Sequence, residues 1–496
     1  NYRNVIYEYD RSGANALTVL GVYTLSNMTG TPIAEMDHSH IRSNSVYSTG
    51  SVGWKHQLYL DMSARNDWSS TINESLFYPS ASLSWLPIES FEGLKSDVLS
   101  FLKLRGGWAQ IGSGTTAYRN RAYYYSESSS FKGVAQMYKS FTYPNENLRP
   151  ESVKTWEVGI ETGFFNDRIH ADIAYYKKKV EDQIMNVSTS NVVGFSAMTL
   201  NAGKIESKGI EIQLRGDILR SKNGLNWTST INFSRDRSKV LELAPDFPAL
   251  KSYQLGWTWG IANQAIAGEP WGVLVGTGYA RTEDGAIKVN SKGLISTESG
   301  KKIGYVAPDY LCGWRNNFSY KNLSFGFFLD LRMGGDIWSQ SMSHSYAAGT
   351  AAETVKNGVR ERAIVAGKDV MTNERFVMKD ASGNWVTNTI ATDAQTWFES
   401  GGVSEMYVFD GSFLKLREVN ISYTVPKSAL SKVKYISNAT VSLIGSNLAL
   451  LWVDKSNTLR LDPEAGGVSS DTRGVGFEQA SVPASRSFGL KLNLTF

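Results

Sequence analysis

The sequence predicts an all-β protein, a transmembrane antiparallel β-barrel, from three observations. The first is the C-terminal stretch, in which apolar residues occupy every second position from Phe488 to Phe496. Successive strand residues point to opposite faces, so this segment has one apolar and one polar face, and it ends at an aromatic residue. The second and third are the recurrence of such strands and the alternation of short and long connections between them. Outer-membrane barrels combine these features.

The same alternation recurs along the chain and predicts about thirteen strands after residue 43. Leu58, Leu60 and Met62, for example, share one face, and Tyr59 and Asp61 share the other. The predicted strands cover residues 44–54, 58–65, 80–85, 102–108, 155–164, 169–175, 210–215, 225–233, 314–320, 323–331, 419–425, 439–443 and 488–496. Residues 44–496 are therefore expected to form barrel strands with long loops.

Residues 1–43 are poorly patterned. We expect this segment to contribute a loop and a strand of the barrel, with Ala16 to Tyr23 (ALTVLGVY) as the candidate strand.

The connections alternate in length. Short ones are predicted near 54–57, 165–168, 219–224, 320–323 and 426–434, with a somewhat longer one at 87–100. Long ones are predicted near 66–76, 112–151, 180–205, 237–308, 334–412 and 453–482. Membrane barrels have short periplasmic turns and long extracellular loops, so this order predicts a periplasmic C-terminus. Unstructured loops of this length argue against a compact soluble domain.

Composition excludes several other classes of protein. The 496 residues exceed one ordinary soluble core, and 12% are aromatic, with 24 Tyr and 14 Trp, residues favoured at membrane interfaces. The net charge is +4, and no concentrated basic stripe is apparent along the sequence, so we do not expect nucleic acid as a partner. Cys312 is the single cysteine, so an intramolecular disulfide is impossible. No stretch approaches the roughly 18 to 20 apolar residues of a membrane helix.

Several separated motifs, in order, resemble the SusC/RagA family of TonB-dependent outer-membrane transporters. They are SNSVYSTGSVGWKHQLYLDMSARNDWSST (43–71), FYPSASLSW (77–85), FLKLRGGWAQIG (101–112), NENLRPESVKTWEVGIETGFFNDRIHADIAYYKKKVEDQI (145–184), NAGKIESKGIEI (201–212), APDYLCGWRNNFSYKNLSFGFFLDLRMGGDI (307–337), FLKLREVNISYTVP (413–426) and ASRSFGLKLNLTF (484–496). The resemblance covers roughly residues 40–496.

The resemblance implies a 22-stranded barrel with an N-terminal plug, of which this chain is the C-terminal part. It also implies two partners: a SusD-like surface lipoprotein, and the TonB-ExbB-ExbD energy complex, which acts through the missing N-terminal part. The N-terminus, NYRNVIYEYD, has no initiator Met and no signal-peptide pattern, so we expect either processing or a start partway through a longer product. Many relatives carry an acidic loop suggestive of calcium near residues 284–304. Four lysines replace that pattern here, so we predict no calcium there.

Candidate catalytic and metal sites are weak. His38 and His40 lie two residues apart without cysteine partners, and we interpret them as solvated loop residues. Glu157 and Glu161 could be proposed as a glycosidase pair, but both alternate onto a polar strand face and are expected to line a wet lumen. Val275 to Tyr279 (VGTGY) lacks the third glycine of a dinucleotide site. We therefore predict no enzyme activity, no metal and no cofactor.

Aromatic residues in the predicted extracellular loops are the better candidates for substrate or partner contact, since aromatic rings stack on sugars and anchor interfaces. The alternative is that they brace the loops or form the outer girdle. The candidates are Tyr123, Tyr124, Tyr125, Trp257, Trp259, Trp271, Trp338, Trp385 and Trp397.

The leading functional hypothesis is TonB-dependent import of a glycan or oligopeptide across the outer membrane of a Gram-negative bacterium. In this hypothesis the chain belongs to the channel subunit of a SusCD-like complex. A passive porin or surface adhesin built on a similar barrel is the first alternative. A secreted, soluble, β-rich carbohydrate-binding protein is the second, and it predicts extraction from cells without detergent.

Overall fold

The computed structural model describes residues 1–13, 16–29, 33–126, 131–244, 250–399, 403–431, 433, 435–465 and 476–496. Its largest element is a 14-stranded sheet in which neighbouring strands follow one another in chain order and every pairing is antiparallel. The strands are β1 (Tyr2–Gly13), β2 (Ile33–Trp54), β3 (Leu58–Ser69), β4 (Ile72–Trp85), β5 (Leu99–Ser113), β6 (Glu151–Phe164), β7 (Ile169–Glu181), β8 (Lys204–Leu219), β9 (Leu225–Glu242), β10 (Tyr310–Tyr320), β11 (Leu323–Met333), β12 (Phe413–Thr424), β13 (Asn438–Val453) and β14 (Ser487–Thr495).

The thirteen strands predicted after residue 43 are confirmed, and β1 is added to them. β1 pairs with β2 over its whole length, from Tyr2 opposite Asn44 to Gly13 opposite Ile33. The strand predicted from Ala16 to Tyr23 is wrong beyond Leu17, because only Ala16–Leu17 pairs, with Met28–Thr29. His38 and His40 lie within β2 rather than in a loop, and His38 Nε2 is 3.8 Å from Glu8 Oε1 of β1.

The two faces of the sheet differ as the alternation predicts. Ile160, Ile173 and Ile212 are neighbours on one face, and Glu161 and Asp172 are neighbours on the other. The apolar side chains are not covered: Trp156 is 62% and Val158 is 59% exposed. Such a face is expected to contact lipid.

The connections fall at two ends of the sheet. The turn end carries connections 55–57, 86–98, 165–168, 220–224, 321–322 and 425–437. The loop end carries connections 14–32, 70–71, 114–150, 182–203, 243–309, 334–412 and 454–486. Thr495 pairs with Asn438, so β14 finishes at the turn end.

One predicted long loop is wrong. Residues 66–76 were expected to be a loop because polar residues interrupt the alternation there. Instead β3 and β4 continue as a ladder up to Ser69 opposite Ile72, and only Ser70 and Thr71 form the turn. Arg65 Nε lies 2.6 Å from Asp67 Oδ1 on this extension. A strand that leaves the membrane no longer needs an apolar face, so loss of alternation does not end it.

Among the described residues the α-helices are few and short: Pro87–Ser90, Gln340–Ala347, Ala394–Glu399 and Lys427–Leu430. In the described ranges, none of them has the length and apolar character required to cross a bilayer.

Three loop-end connections, 243–309, 334–412 and 454–486, pack around one hydrophobic core, and we call this unit the loop body. Its fully buried members include Ile261, Leu274, Val359, Phe376 and Phe409. The strands in it are Ser252–Thr258, Ile261–Ile266, Val273–Tyr279, Ile287–Lys288, Thr297–Tyr305, Asp336–Ser339, Phe376–Lys379, Trp385–Thr387, Val408–Asp410 and Phe477–Glu478. Smaller strands of other connections are Tyr124–Ser126, Met137–Lys139, Thr142–Tyr143, Ile184–Ser188 and Ala197–Asn201.

Candidate functional site

The polar face of the main sheet, here called the polar wall, carries ion pairs that cross neighbouring strands. Arg105 of β5 lies between two carboxylates: its Nη1 is 2.7 Å from Asp172 Oδ1 and its Nε is 3.5 Å from Glu157 Oε1. Gly159 makes room for this arrangement, since a Cβ there would lie 2.7 Å from the guanidinium carbon. The wall therefore presents positive and negative groups side by side.

A second group of charges lies on the same wall, nearer the turn end. Glu161 is 3.4 Å from Lys103 Nζ and 3.4 Å from His170 Nε2. The prediction that Glu157 and Glu161 lie on the polar face is confirmed. Both carboxylates belong to mixed-charge pairs along the wall.

The polar wall borders an open cavity of about 460 Å³ that spans several strands. Its polar lining comes from Arg105, Asp172, Glu211, Gln213, Asn232 and Asp330. Gln213 Nε2 donates to Asn232 Oδ1 at 2.9 Å, which fixes both amides on the wall. This surface offers charged and neutral hydrogen-bonding groups to a hydrated solute.

Lys415 of β12 attaches the last long loop to the wall. It is 5% exposed, and its Nζ lies 2.5 Å from Asp462 Oδ1 and 2.5 Å from Glu464 Oε2. Arg417 contacts Glu464 as well and lies 2.7 Å from Asp330 Oδ2 of β11. Burial alone would raise the pKa of the Glu464 carboxyl, but hydrogen bonds from Arg417 and Lys415 outweigh it and lower that pKa.

A second cavity, of about 410 Å³, lies beside Lys415 and Asp462. Glu478 on its edge is 2% exposed and joins two loops of the loop body. Its carboxylate accepts hydrogen bonds from Ser339 Oγ at 2.5 Å and from Ser341 Oγ at 2.9 Å. The lining of this cavity therefore contains two buried charges: Lys415 is ion-paired, and Glu478 is hydrogen-bonded to serine hydroxyls.

The predicted tyrosines lie in connection 114–150. Tyr123 and Tyr125 meet edge to face with ring centroids 4.9 Å apart, and Tyr125 stacks on Tyr138 at 5.3 Å. The Tyr123 and Tyr125 hydroxyls are 2.8 Å apart; burial, followed by this hydrogen bond, raises the pKa of Tyr123 to about 12. Tyr124 points away and is 67% exposed. Tyr123 and Tyr125 line a cavity of about 150 Å³ beside Arg119.

The predicted tryptophans divide into exposed and buried residues. Trp257 and Trp259 are 63% and 65% exposed at one hairpin of the loop body. Trp385 is 42% exposed, and the ammonium groups of Lys288 and Lys379 each lie 5.3 Å from its ring centroid.

The other three tryptophans pack against apolar clusters. Trp338 is 4% and Trp397 is 3% exposed, and Trp397 meets Phe376 edge to face inside the core. The burial of these two rings argues against contact with a ligand or partner. Trp271 packs against the cluster around Val240 at the base of the loop body.

Sequence reasoning missed Asp462 and Glu478, because their spacing follows no strand or motif period. Lys415 and Arg417 had a weak signal, since they are alternate residues of the recognisable strand FLKLREVNISYTVP.

The segment predicted to lack calcium contains strands 287–288 and 297–305, and its Asp284 carboxylate pairs with Arg375. In the part of the chain described, no cluster of three or more His, Cys, Asp or Glu side chains could hold a metal. The absence of calcium stays a prediction.

Comparisons with known proteins agree with the geometry. Residues 2–328 match the family described as TonB dependent receptor-like, beta-barrel. TonB-dependent receptor P26 of Formosa agariphila is 28% identical over 528 residues, covering 100% of this chain and 50% of that protein. TonB-dependent receptor SusC of Bacteroides thetaiotaomicron is 25% identical over 369 residues, covering 70% of this chain and 34% of SusC.

Among solved structures, the RagAB peptide importer in its closed-closed state superposes with a TM-score of 0.73 at 21% identity. The superposition covers 100% of this chain and 53% of the importer chain, and it establishes similarity of fold. The chain spans about half the length of the first two curated relatives that it matches, P26 and P3 of Formosa agariphila.

Proposed function

Because the chain belongs to the TonB dependent receptor-like β-barrel family, we propose that it is the C-terminal barrel portion of an outer-membrane importer. The cargo is a hydrated oligomer, an oligosaccharide or an oligopeptide, that is too large for passive pores. The chain binds and conducts this cargo and performs no covalent chemistry.

One observation supports this function most directly: an exposed apolar face on one side of the sheet and a continuous polar wall on the other. The side chains around Arg105 and Asp172 alternate in charge and border a cavity of about 460 Å³. Such a surface exchanges hydrogen bonds with a polar solute without holding it by one dominant charge. The edge strands β1 and β14 are largely exposed, and in lipid both edges require further strands.

The loop body supports the proposed partnership with a SusD-like surface lipoprotein. The loop body packs around its own hydrophobic core, so its surface is held in place by that core. Trp257 and Trp259 are largely exposed on this surface. Exposed tryptophans are common anchors at interfaces. In this arrangement the loop end faces the medium and the C-terminus lies at the periplasmic side. TonB-ExbB-ExbD acts through the N-terminal part of the importer.

The decisive experiment is uptake by the native host of labelled oligosaccharides and oligopeptides, with the complete gene present, deleted, or present without TonB. We expect uptake of one class to require both the gene and TonB. Uptake that needs the gene but not TonB would identify a passive porin. Loss of cell adhesion with no uptake defect would identify an adhesin.

Partnership and orientation have separate tests. Purification through a tag on the complete protein should also recover a surface lipoprotein. If no lipoprotein is recovered even from crosslinked cells, the proposed partnership is overturned. A tag after Phe496 should resist antibody labelling on intact cells, whereas a tag at Ala381, in an exposed turn of the loop body, should be labelled.

A further inference from the structure

On the apolar face of strands β6 to β9, successive rows of side chains change from apolar to basic toward the loop end. Residues paired across antiparallel strands share a face, so the register defines rows that cross the sheet. One row is wholly apolar: Ile160, Ile173, Ile212 and Phe233. The next row toward the loop end is Val158, Tyr175, Ile210 and Arg235.

The two rows beyond it are mostly basic. They consist of Trp156, Lys177, Lys208 and Arg237, and then of Lys154, Lys179, Glu206 and Lys239. Each row lies about 7 Å from the last along the strand, since a residue advances about 3.4 Å. With Lys204, two positions beyond Glu206, these cations form the surface that we call the basic belt: Lys154, Lys177, Lys179, Lys204, Lys208, Arg235, Arg237 and Lys239.

Two carboxylates organise five of these lysines. Glu181 lies 3.0 Å from Lys154 Nζ, 2.9 Å from Lys179 Nζ and 3.5 Å from Lys204 Nζ. Glu206 lies 2.9 Å from Lys177 Nζ and 2.8 Å from Lys208 Nζ. Each carboxylate contacts two or three lysines but carries only one negative charge, so a net positive charge remains around it.

The excess charge is accessible. The Lys177 and Lys208 side chains are 46% and 48% exposed, whereas the Glu206 carboxylate between them is 19% exposed. Of the guanidinium groups, Arg237 pairs with Asp309.

We propose that the basic belt binds the phosphate groups of lipid headgroups in the membrane leaflet at the loop end. The belt begins where the apolar face ends, and it adjoins the tilted pair Trp108 and Trp156, whose ring centroids are 6.0 Å apart. Tryptophan marks the headgroup level of a membrane. Clustered lysines and arginines at that level attract anionic headgroups. The binding surface follows from the rows alone, and only its assignment to the outer leaflet rests on the proposed orientation.

The other end of the same strands supports a lipid rather than a protein occupant. There the same face carries Phe164, Ile169 and Trp227 in place of cations. On this face of strands β6 to β9, the cations lie in rows parallel to the membrane plane at one boundary, which is the geometry of a lipid headgroup layer. A protein interface would not need to stop at that depth.

The test measures binding of fluorescent lipid A to the complete protein in neutral detergent, with fully dephosphorylated lipid A as the comparison. We expect the phosphorylated form to bind at least about tenfold more tightly, with an affinity that falls as salt rises. The triple variant Lys154→Gln, Lys177→Gln, Lys208→Gln should lose most of that difference. The matched control, Lys95→Gln, Lys178→Gln, Lys222→Gln, removes the same charge at the turn end and on the opposite face, and should keep it.

Heat-modifiable gel migration establishes that both variants are folded. Equal binding of the two lipids by the unmodified protein would overturn the proposal, as would equal loss in both triple variants. A belt variant that keeps lipid binding but changes the mass of the purified assembly would identify a protein interface instead, and would equally overturn it. None of these outcomes depends on transport.

Discussion

Trp227 Nε1 donates a hydrogen bond to Asn316 Oδ1 at 2.9 Å, linking β9 to β10 on the apolar face of the sheet. Asn316 is 1% exposed, and the rings of Trp314, Phe318 and Phe327 lie on the same face beside it. The indole N–H depends on Asn316 Oδ1, because a buried donor left without an acceptor keeps its desolvation cost. Asn316 Nδ2 has no hydrogen-bond partner among the described residues.

Asn316→Leu should destabilise the sheet by about 1 kcal/mol, because the Trp227 indole is left without an acceptor, and this loss is partly offset by removal of the unpaired Asn316 Nδ2. Adding Trp227→Phe removes that orphaned donor and should recover part of the loss. Unfolding in denaturant from lipid vesicles measures the cycle. Strictly additive effects of the two substitutions would show that the hydrogen bond makes no contribution.

Phe327→Arg tests which face of the sheet contacts lipid. Phe327 lies on the apolar face, so a guanidinium there should cost about 2–4 kcal/mol of unfolding free energy in vesicles. Gln213→Arg, on the polar wall, is the control and should cost far less. A similar loss for the two variants would mean that the faces have been assigned incorrectly.

Strand prediction succeeded because a membrane imposes period-two alternation on every strand that crosses it. It failed where strands leave the bilayer. In β1, Val5, Tyr7 and Tyr9 share one face of the strand, and Tyr9 lies opposite Asp37 of β2. Neither face of β1 is uniformly apolar. The polar run RNDWSST has the composition of a loop but continues the ladder of β3.

The loop body was beyond prediction for a different reason. Its core joins Ile261, Trp397 and Phe477 from three connections, and none of these positions belongs to a periodic pattern. Trp397 and Trp257 both lie in long loops by sequence, yet one is 3% and the other 63% exposed. Only tertiary packing separates them.

Lys415→Met should loosen the last long loop. Removing one partner of a buried ion pair lowers the free energy of unfolding by up to about 3–5 kcal/mol. The loss should be smaller here, because Glu464 is 36% exposed and its ion pair with Arg417 remains. Hydrogen–deuterium exchange at residues 454–465 reports this local opening. Lys455→Met, an exposed neighbour, is the control and should leave the exchange unchanged.

The same contact predicts a pH dependence. The pKa of Glu464 is lower in the folded state than its unfolded value of about 4.3, so its stabilising effect is complete above that value. The effect is lost as the pH falls through the lower folded pKa. Exchange at residues 454–465 should therefore rise below about pH 4 in the native protein. In Glu464→Gln this step should be absent; the same step in that variant would assign it to another group.

Alanine substitutions distinguish tryptophans that contact a ligand or partner from tryptophans that stabilise the core. The variants are Trp257→Ala and Trp259→Ala at exposed positions and Trp397→Ala in the core. Trp257 and Trp259 are largely exposed, so truncating both should weaken uptake or lipoprotein retention with little change in stability. Trp397 fills the core against Phe376, so its truncation should cost about 3–5 kcal/mol and raise protease sensitivity of the loop body. Trp385 is exposed and contacts the ammonium groups of two lysines, so any effect of Trp385→Ala on binding should come without increased protease sensitivity of the loop body. If truncating Trp257 and Trp259 destabilises the loop body as much as truncating Trp397 does, their rings are structural, and recognition is instead expected at the contacting rings of Tyr123, Tyr125 and Tyr138.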